Sequence, residues 1–350
     1  MSSKFHIGDT VHFYPSEHDF DAENAVEDYL VKGFVPADPP LTRESRIVTI
    51  GPCFAQAVAT HLQSQGYTVT SRTDESTHIA RFGDKIGNTF AVRGQLEWAW
   101  AGTEPAVDLW HGYAAEPLLR DEATRERTRR LLDEADAFVL TLGNAEIWQD
   151  EPTGGVFWGA VPVDQFEPAR HRFRVSTYQE NLSNLMEIYR IVRRNRPDAT
   201  IVTSLGATPA PATFRDVACL AASTSSKSML RSALDEFFRV VGPRDPNFHY
   251  FPSYDIARYA IPRAMTPDCR RLRPAVSGFL TLLFEHYFAE ARVSKGDLHA
   301  LFRAVRQGDQ RPAAPPPPAP PSRQADAATE KARRRKAKKA GQPGKKGART

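Results

Sequence analysis

The residue whose type and position best suit covalent chemistry is a cysteine between a predicted strand and a predicted helix. Residues 46–50 have the apolar, β-branched character of a buried strand, and the spacing of Phe54, Val58 and Leu62 predicts a helix directly after them. Cys53 falls at the first turn of that helix, where unpaired backbone N–H groups and the helix dipole stabilise an anion and can lower the pKa of a thiol. Cys53 is therefore either a nucleophile or, as is common for such cysteines, a small buried apolar residue.

The turn that contains this cysteine resembles the signature of the GSCFA-domain family. Gly51, Cys53, Phe54 and Ala55 match the signature, and Pro52 stands where the signature has serine. Proline fixes its own φ and has no backbone N–H, so this difference removes one donor at the turn and also stiffens it.

Three further segments are similar to the same family and occur in the family's order. TLGNAEIW at 141–148 resembles its TLG..E.W segment, SSKSMLR at 225–231 its SK..LR helix start, and YFPSYDI at 250–256 its YFPSYE segment. The resemblance covers roughly residues 45–290. It makes Cys53 the first position to examine.

Alternating strands and helices must position these segments, and this pattern predicts an α/β fold with a doubly wound, mostly parallel sheet. The family resemblance further implies a three-layer sandwich that is SGNH-hydrolase-like and flavodoxin-like. Ligands of such sheets bind beyond the carboxyl ends of strands, where the turn at Cys53, the TLGN turn and the loop 206–211 are expected. After 46–50 and its helix, we predict strands at 67–70, 137–141, 199–204 and 248–251, and helices from about 95 and at 121–136, 177–195, 226–240 and 275–291.

About thirty residues, 146–175, interrupt this alternation and are rich in aromatic residues, glycine and proline. A segment of that length inside a compact domain is a lid, a binding loop or an ordered structural excursion.

GSCFA proteins resemble the SGNH, or GDSL-like, hydrolases, and this implies a mechanism for the cysteine. Laying their Gly-Asp-Ser on residues 51–53 puts Cys53 in the place of the serine nucleophile. Acyl transfer by a cysteine also needs a base and an oxyanion hole. By the resemblance, Gly87 and Asn88 are candidate oxyanion donors, although Gly87 is equally typical of a turn.

The third SGNH block has the pattern Gly-x-Asn-Asp, and here Asn144 lies one position early. Asn144 is either an oxyanion or substrate-binding donor or a residue that closes a turn. Glu146 matches the GSCFA segment and is expected to support the site rather than to react in it.

The final SGNH block, Asp-x-x-His, is degenerate in this chain. Asp268 matches its aspartate, but Arg271 stands where the histidine base belongs. Arginine stays protonated and cannot accept the proton of a nucleophile, although it can bind an anionic substrate or pair with Asp268. Of the histidines near the family segments, His249 is the best candidate base, ahead of His78 and His171.

Composition excludes several classes of protein. No apolar run approaches the roughly 20 residues of a transmembrane helix, and the polar N-terminus does not resemble a signal peptide, so we expect a soluble cytoplasmic protein. Cys53, Cys219 and Cys269 are far apart and lack metal-ligand spacing. We therefore expect no disulfide, no metal and no cofactor.

Positive charge is concentrated at the C-terminus. Ten of the 46 Lys and Arg residues lie in 331–350, which contains no acid, so residues 1–330 carry 36 basic and 42 acidic groups. We predict a GSCFA domain with an N-terminal extension at 1–304 and a disordered tail, rich in proline and then in basic residues, at 305–350. Residues 331–350 either contact an anionic polymer by charge or have no partner.

Three functions are compatible with these features. The first is an ester hydrolase or acyltransferase that uses Cys53 on a small-molecule or glycan ester. The second is a catalytically silent GSCFA-fold protein that binds an anionic ligand through Arg271, with the basic tail as a tether. The third is a nucleic-acid-binding protein that works through residues 331–350.

Overall fold

A computed structural model describes residue 8 and residues 11–290 and 293–308 of the 350-residue chain. Of the predicted tail at 305–350, the part from residue 309 onward lies outside the described residues.

A five-stranded parallel sheet forms the centre of the fold. Its strand order is β2-β1-β3-β7-β8. Counting only the strands of this sheet, the order is 2-1-3-4-5, as in flavodoxin-like doubly wound folds. The predicted fold class is thereby confirmed. The strands are β1 Arg46–Ile50, β2 Thr68–Val69, β3 Ala137–Leu142, β7 Thr200–Leu205 and β8 Phe248–Phe251.

Helices cover both faces of this sheet because its side chains are apolar on both. In β1, Val48 and Ile50 pack into one core and Ile47 into the other, as the two-residue period of a strand requires. One face carries α1 Phe54–Ser64, α8 Pro274–Phe288 and α9 Lys295–Gln307. The other carries α2 His78–Phe82, α3 Thr89–Ala101, α4 Glu122–Asp133, α5 Tyr178–Asn195 and α6 Cys219–Val241. A short helix, α7 Ser253–Asp255, follows β8 and continues as a π-helical turn, Ile256–Ala260.

Residues 146–175, which interrupt the alternation of strands and helices, are an ordered structural excursion. They form a small antiparallel sheet of order β5-β4-β6. Trp148 in this sheet packs its ring against those of Phe166, Phe173 and Phe214. The strands are β4 Glu146–Asp150, β5 Gly155–Val156 and β6 His171–Val175.

α3 and α6 begin several residues before their predicted starts, and α2 and α7 were not predicted. α3 begins at Thr89 rather than near residue 95, because the Asn88 side chain accepts a hydrogen bond from Ala91 N at 2.8 Å and caps the helix. α6 begins seven residues before Ser226, although its N-cap, Ala218, makes no side-chain cap. α9 was not predicted as a separate helix.

Candidate functional site

The turn at residues 51–53 joins β1 to α1 in a backbone conformation that depends on glycine. Gly51 has φ +124°, and a Cβ there would lie 2.0 Å from the carbonyl oxygen of Thr141 on the neighbouring strand β3. The Gly51 N–H donates to the carbonyl of Gly83 at 3.0 Å. This close approach sets the direction in which the chain leaves the sheet.

Cys53 is exposed and holds a backbone conformation that is rare for residues other than glycine. Its φ is +27°, and α1 begins at the next residue, Phe54. Ala55 N–H donates to Pro52 O and Ala57 N–H to Cys53 O, whereas the Phe54 N–H in the first turn has no acceptor within the helix. The predicted position of Cys53 at the start of a helix is correct, and its side chain is not a buried apolar filler.

Two other turns meet the Cys53 turn through the ring of Pro52. A Cβ on Gly143 would lie 2.8 Å from Pro52 Cγ, and one on Gly87 would lie 3.2 Å from Pro52 Cδ. The Gly143 N–H donates to the carbonyl of Gly87 at 2.7 Å. The structure thus brings Gly87 and the TLGN turn to Cys53.

The Asn88 side chain is committed to structural hydrogen bonds. Besides capping α3, its amide nitrogen donates to the carbonyls of Phe157 and Trp158 at 3.3 and 3.5 Å. Both ends of the amide therefore hold the start of α3 against the chain that follows β5.

The Asn144 side chain is also engaged. Its amide nitrogen donates to Glu146 O at 3.1 Å, and its oxygen accepts from Glu146 N and from the Ser226 hydroxyl. The Glu146 carboxylate, only 1 % exposed, forms an ion pair with Arg215 at 3.3 Å, while its Oε2 has no hydrogen-bond partner among the described residues. Asn144 closes a turn, and Glu146 ties β4 to the loop that follows β7.

A buried lysine, Lys227, stands at the same edge of the sheet. Its ammonium donates to the carbonyls of Gly143 and Gly206, each at 2.6 Å, just beyond the ends of β3 and β7. Lys227 is only 4 % exposed, and this burial lowers its pKa to about 8, while the nearby Cys53 thiolate acts in the opposite direction. Lys227 is thus a cation at the same edge of the sheet as Cys53, and it can lose its proton near neutral pH.

Hydrogen bonds between the family segments fix the position of this lysine. The hydroxyl of Ser226, its neighbour on α6, accepts from Ala145 N at 2.7 Å. One turn along α6, Arg231 donates to Asp255 at 2.8 Å, and Asp255 accepts from the Tyr250 hydroxyl at 2.7 Å. The SSKSMLR segment is therefore bound both to the TLGN turn and to the YFPSYDI segment.

The structure places His249 away from Cys53. His249 is the second residue of β8, and its ring packs on Phe288 at the last position of α8. Burial lowers its pKa, and the charges that it faces are Asp245 and Arg193. Asp245 precedes β8, so His249 faces the amino end of the sheet, whereas Cys53 lies beyond its carboxyl end.

Asp268 and Arg271 lie in an exposed turn before α8. Asp268 accepts from the Thr266 hydroxyl at 2.5 Å and from Arg270 N at 3.1 Å, and the first of these bonds is the main reason that its pKa is lowered. Within the described ranges Asp268 and Arg271 form no ion pair by side-chain contact. Asp268 stabilises its own turn.

The other two candidate bases, His78 and His171, have structural roles. His78 stacks on Trp98 and its Nε2 bonds to Leu119 O at 2.9 Å; burial lowers its pKa to about 4. His171 Nδ1 accepts from Glu167 N at 3.0 Å in the small sheet. Neither ring contacts Cys53.

Comparison with known families agrees with the arrangement of these segments. Residues 46–268 match the GSCFA family. The chain belongs to the GSCFA family. No curated protein matches it significantly. The GSCFA match includes the Cys53 turn, the turns at Asn88 and Asn144, and Lys227. It ends before Arg271 and α8.

Two features are absent from the described residues. No helix there is long and apolar enough to cross a membrane. No group of three or more His, Cys, Asp and Glu side chains in that part of the chain is arranged to hold a metal ion.

Sequence reasoning missed Lys227. The residue lies in the segment SSKSMLR, which matched the family pattern, but a lysine inside an amphipathic helix normally points to solvent. Only the tertiary structure shows that this helix crosses the carboxyl ends of β3 and β7, so that its lysine is buried against their last carbonyls.

Proposed function

We propose that this GSCFA protein is an ester hydrolase or acyltransferase in which Cys53 is the nucleophile and Lys227 exchanges its proton. The observation that carries the proposal is the buried Lys227 ammonium, held by two carbonyls beside the exposed thiol. A lysine with a pKa near 8 is suited to general acid–base catalysis close to neutral pH.

The hydrogen bonds of Lys227 leave room for proton transfer. A neutral amine has two N–H donors and one lone pair. The carbonyls of Gly143 and Gly206 accept from two N–H groups, which leaves the lone pair to take the proton of the Cys53 thiol. The third hydrogen of the resulting ammonium is the proton that can be returned.

The proposed reaction has two steps. The Cys53 thiolate forms a C–S bond to the ester carbonyl, the ester C–O bond breaks, and the Lys227 ammonium gives its proton to the leaving alkoxide. Water or an acceptor hydroxyl then attacks the thioester and gives its proton to Lys227, and the Cys53 thiolate leaves with the S–C electrons. It recovers its proton from the Lys227 ammonium.

The first turn of α1 supplies the oxyanion site in this proposal. The N–H groups of Cys53 and Phe54 stand at the positive end of the helix dipole, next to the sulfur. They take over the role that the SGNH resemblance implied for Asn88 and Asn144, whose side-chain amides are bonded elsewhere.

The resemblance of GSCFA proteins to SGNH hydrolases supports ester chemistry on a small molecule or a glycan. His249 does not take the place of the SGNH histidine base, because it faces the other end of the sheet. A catalytically silent binding protein is the competing interpretation. Contact of residues 331–350 with an anionic polymer is compatible with both interpretations, and these residues lie outside the described part of the chain.

Turnover of a panel of chromogenic acetyl and longer acyl esters tests the proposal. We expect Cys53→Ala and Lys227→Met each to lower kcat/KM by about 100-fold or more. Cys219→Ala is the matched control, since Cys219 bonds weakly to Ala210 O at the start of α6. No turnover by the parent protein would favour the silent protein, and equal turnover by Cys53→Ala would contradict the assignment of Cys53 as the nucleophile.

A further inference from the structure

A cavity of about 700 Å³ opens between α6 and the chain from α7 to the start of α8. Ala207, two residues after the end of β7, and Tyr254, three residues after the end of β8, form part of its wall. The cavity therefore lies beyond the carboxyl ends of two neighbouring strands, where doubly wound sheets bind ligands. Its volume is in the range of small-molecule sites.

The charged groups of the cavity are all basic. Lys227, Arg258, Arg263 and Arg273 line it, and none of its described lining residues is acidic. Among the described residues, no carboxylate forms an ion pair with the three arginines; Arg273 donates through Nη2 to Val305 O at 2.9 Å, and its Nε is buried without a hydrogen-bond partner. Positive charge gathered without compensation in a concave surface attracts an anion.

Apolar side chains form much of the remaining wall. Leu220, Ile261, Met265 and Leu272 face the cavity together with Tyr254. Leu220, in the first turn of α6, is 78 % exposed. An apolar ligand segment would cover it.

We propose that this cavity binds an anionic amphiphile, a molecule with a carboxylate or phosphate head and an apolar tail. The arginines bind the head and the apolar wall packs against the tail. Because Lys227 belongs both to this cavity and to the surroundings of Cys53, the ligand is also the substrate class of the proposed reaction, an ester that carries an anionic group and an apolar chain; this last step rests on the proposed function.

Calorimetric titration of the full-length Cys53→Ala protein with octyl phosphate and octanoate, below their micellar concentrations, tests the binding. We expect one site per chain, with either ligand at least about tenfold tighter than octyltrimethylammonium. Inorganic phosphate, which has the head alone, should also bind at least about tenfold more weakly than octyl phosphate. Preference for octyl phosphate or for octanoate identifies the head as phosphate or carboxylate.

A double variant of the cavity arginines distinguishes binding in the cavity from binding by the basic tail, because the variant and the parent both keep the tail. Arg258→Gln with Arg263→Gln should weaken octyl phosphate at least about tenfold, since each lost charge-assisted bond is worth more than a neutral one. Arg239→Gln is the control, because Arg239 is exposed on α6 and pairs with Asp235. Equal affinity in the double variant and the parent, or no preference over octyltrimethylammonium, would overturn the proposal.

Turnover distinguishes the two proposals. If octyl phosphate binds to the cavity and the parent hydrolyses no ester, the cavity assignment stands and the catalytic proposal fails. If the parent hydrolyses acetyl esters and octyl phosphate neither binds nor inhibits, the catalytic proposal stands and the cavity assignment fails.

Discussion

Lys227 is buried at the edge of the sheet where the Cys53 turn lies and donates to Gly143 O, and the charge of a Cys53 thiolate raises the pKa of this lysine against the stronger effect of burial. The two residues are 174 positions apart in the sequence. They come to the same edge of the sheet because α1 begins at the end of β1 and α6 crosses the ends of β3 and β7. This relationship leads to the following predictions.

Cys53 should react faster with a limiting amount of iodoacetamide at pH 7 than Cys219 or Cys269. Lys227→Met should slow this reaction about tenfold, because the amine that accepts the thiol proton is lost. Peptide mass spectrometry after timed quenching measures the rate at each cysteine.

The control for this variant is Lys85→Met. Lys85 also donates to two carbonyls, those of His111 and Gly112, at 2.6 and 2.7 Å. An equal loss of Cys53 reactivity in both variants would show that the effect of Lys227 is not specific.

The stability of the protein should depend on pH through Lys227. Its folded pKa of about 8 is below its ordinary value of 10.5, so the unfolded chain binds more protons between these values. The free energy of unfolding of the parent, relative to Lys227→Met, should therefore rise by about 3 kcal/mol from pH 8 to pH 10.5. Urea unfolding of both proteins across this range measures the difference, and a flat difference would mean that the burial of Lys227 does not shift its proton equilibrium.

Gly51→Ala should destabilise the fold by more than about 3 kcal/mol, because it combines an unfavourable φ with a backbone clash. A Cβ there would lie 2.0 Å from Thr141 O. Gly83→Ala is the matched control, since Gly83 has helical angles and ordinary contacts of 3.6 Å or more. Its unfolding free energy should change by less than about 1 kcal/mol, and similar losses in both variants would contradict the close approach of Gly51 to β3.

Arg215→Met should lower the unfolding free energy by about 1–2 kcal/mol, because the buried Glu146 carboxylate loses its ion pair while Arg215 itself is partly exposed. Adding Glu146→Gln should restore most of this loss. Arg172→Met, which breaks an exposed pair with Glu151, should have almost no effect. If Glu146→Gln instead lowers the unfolding free energy further, the Glu146–Arg215 ion pair does not have the structural role described here.

Much of the fold is present in local sequence patterns. The apolar runs of β1, β3, β7 and β8 predict the parallel sheet, and the capping box of Thr177 and Glu180 marks the start of α5, as the structure confirms. α9 has comparable signals, a Ser294 cap and an apolar face with Leu298 and Phe302, but they follow closely on α8. Such a helix is easily taken for the beginning of the tail.

The candidate site is less accessible to sequence reasoning because it depends on long-range contacts. The location of Cys53 follows from a strand, a turn and a helix that are adjacent in the chain. The partners of Asn144 and Lys227 lie on other elements, so their hydrogen bonds cannot be derived from spacing. The sequence argument for His249 did not include the position of this residue along β8. That position decides which end of the sheet His249 faces.

The acyl-enzyme itself tests the central claim most directly. Full-length protein mixed with a chromogenic acyl ester at pH 7 and quenched in acid should carry the acyl group on the peptide that contains Cys53, with formation about 100-fold slower in Lys227→Met. An acyl group that accumulates no faster on Cys53 than on Cys219 and Cys269, or at the same rate in both proteins, would contradict the assignment of Cys53 and Lys227 as nucleophile and proton acceptor.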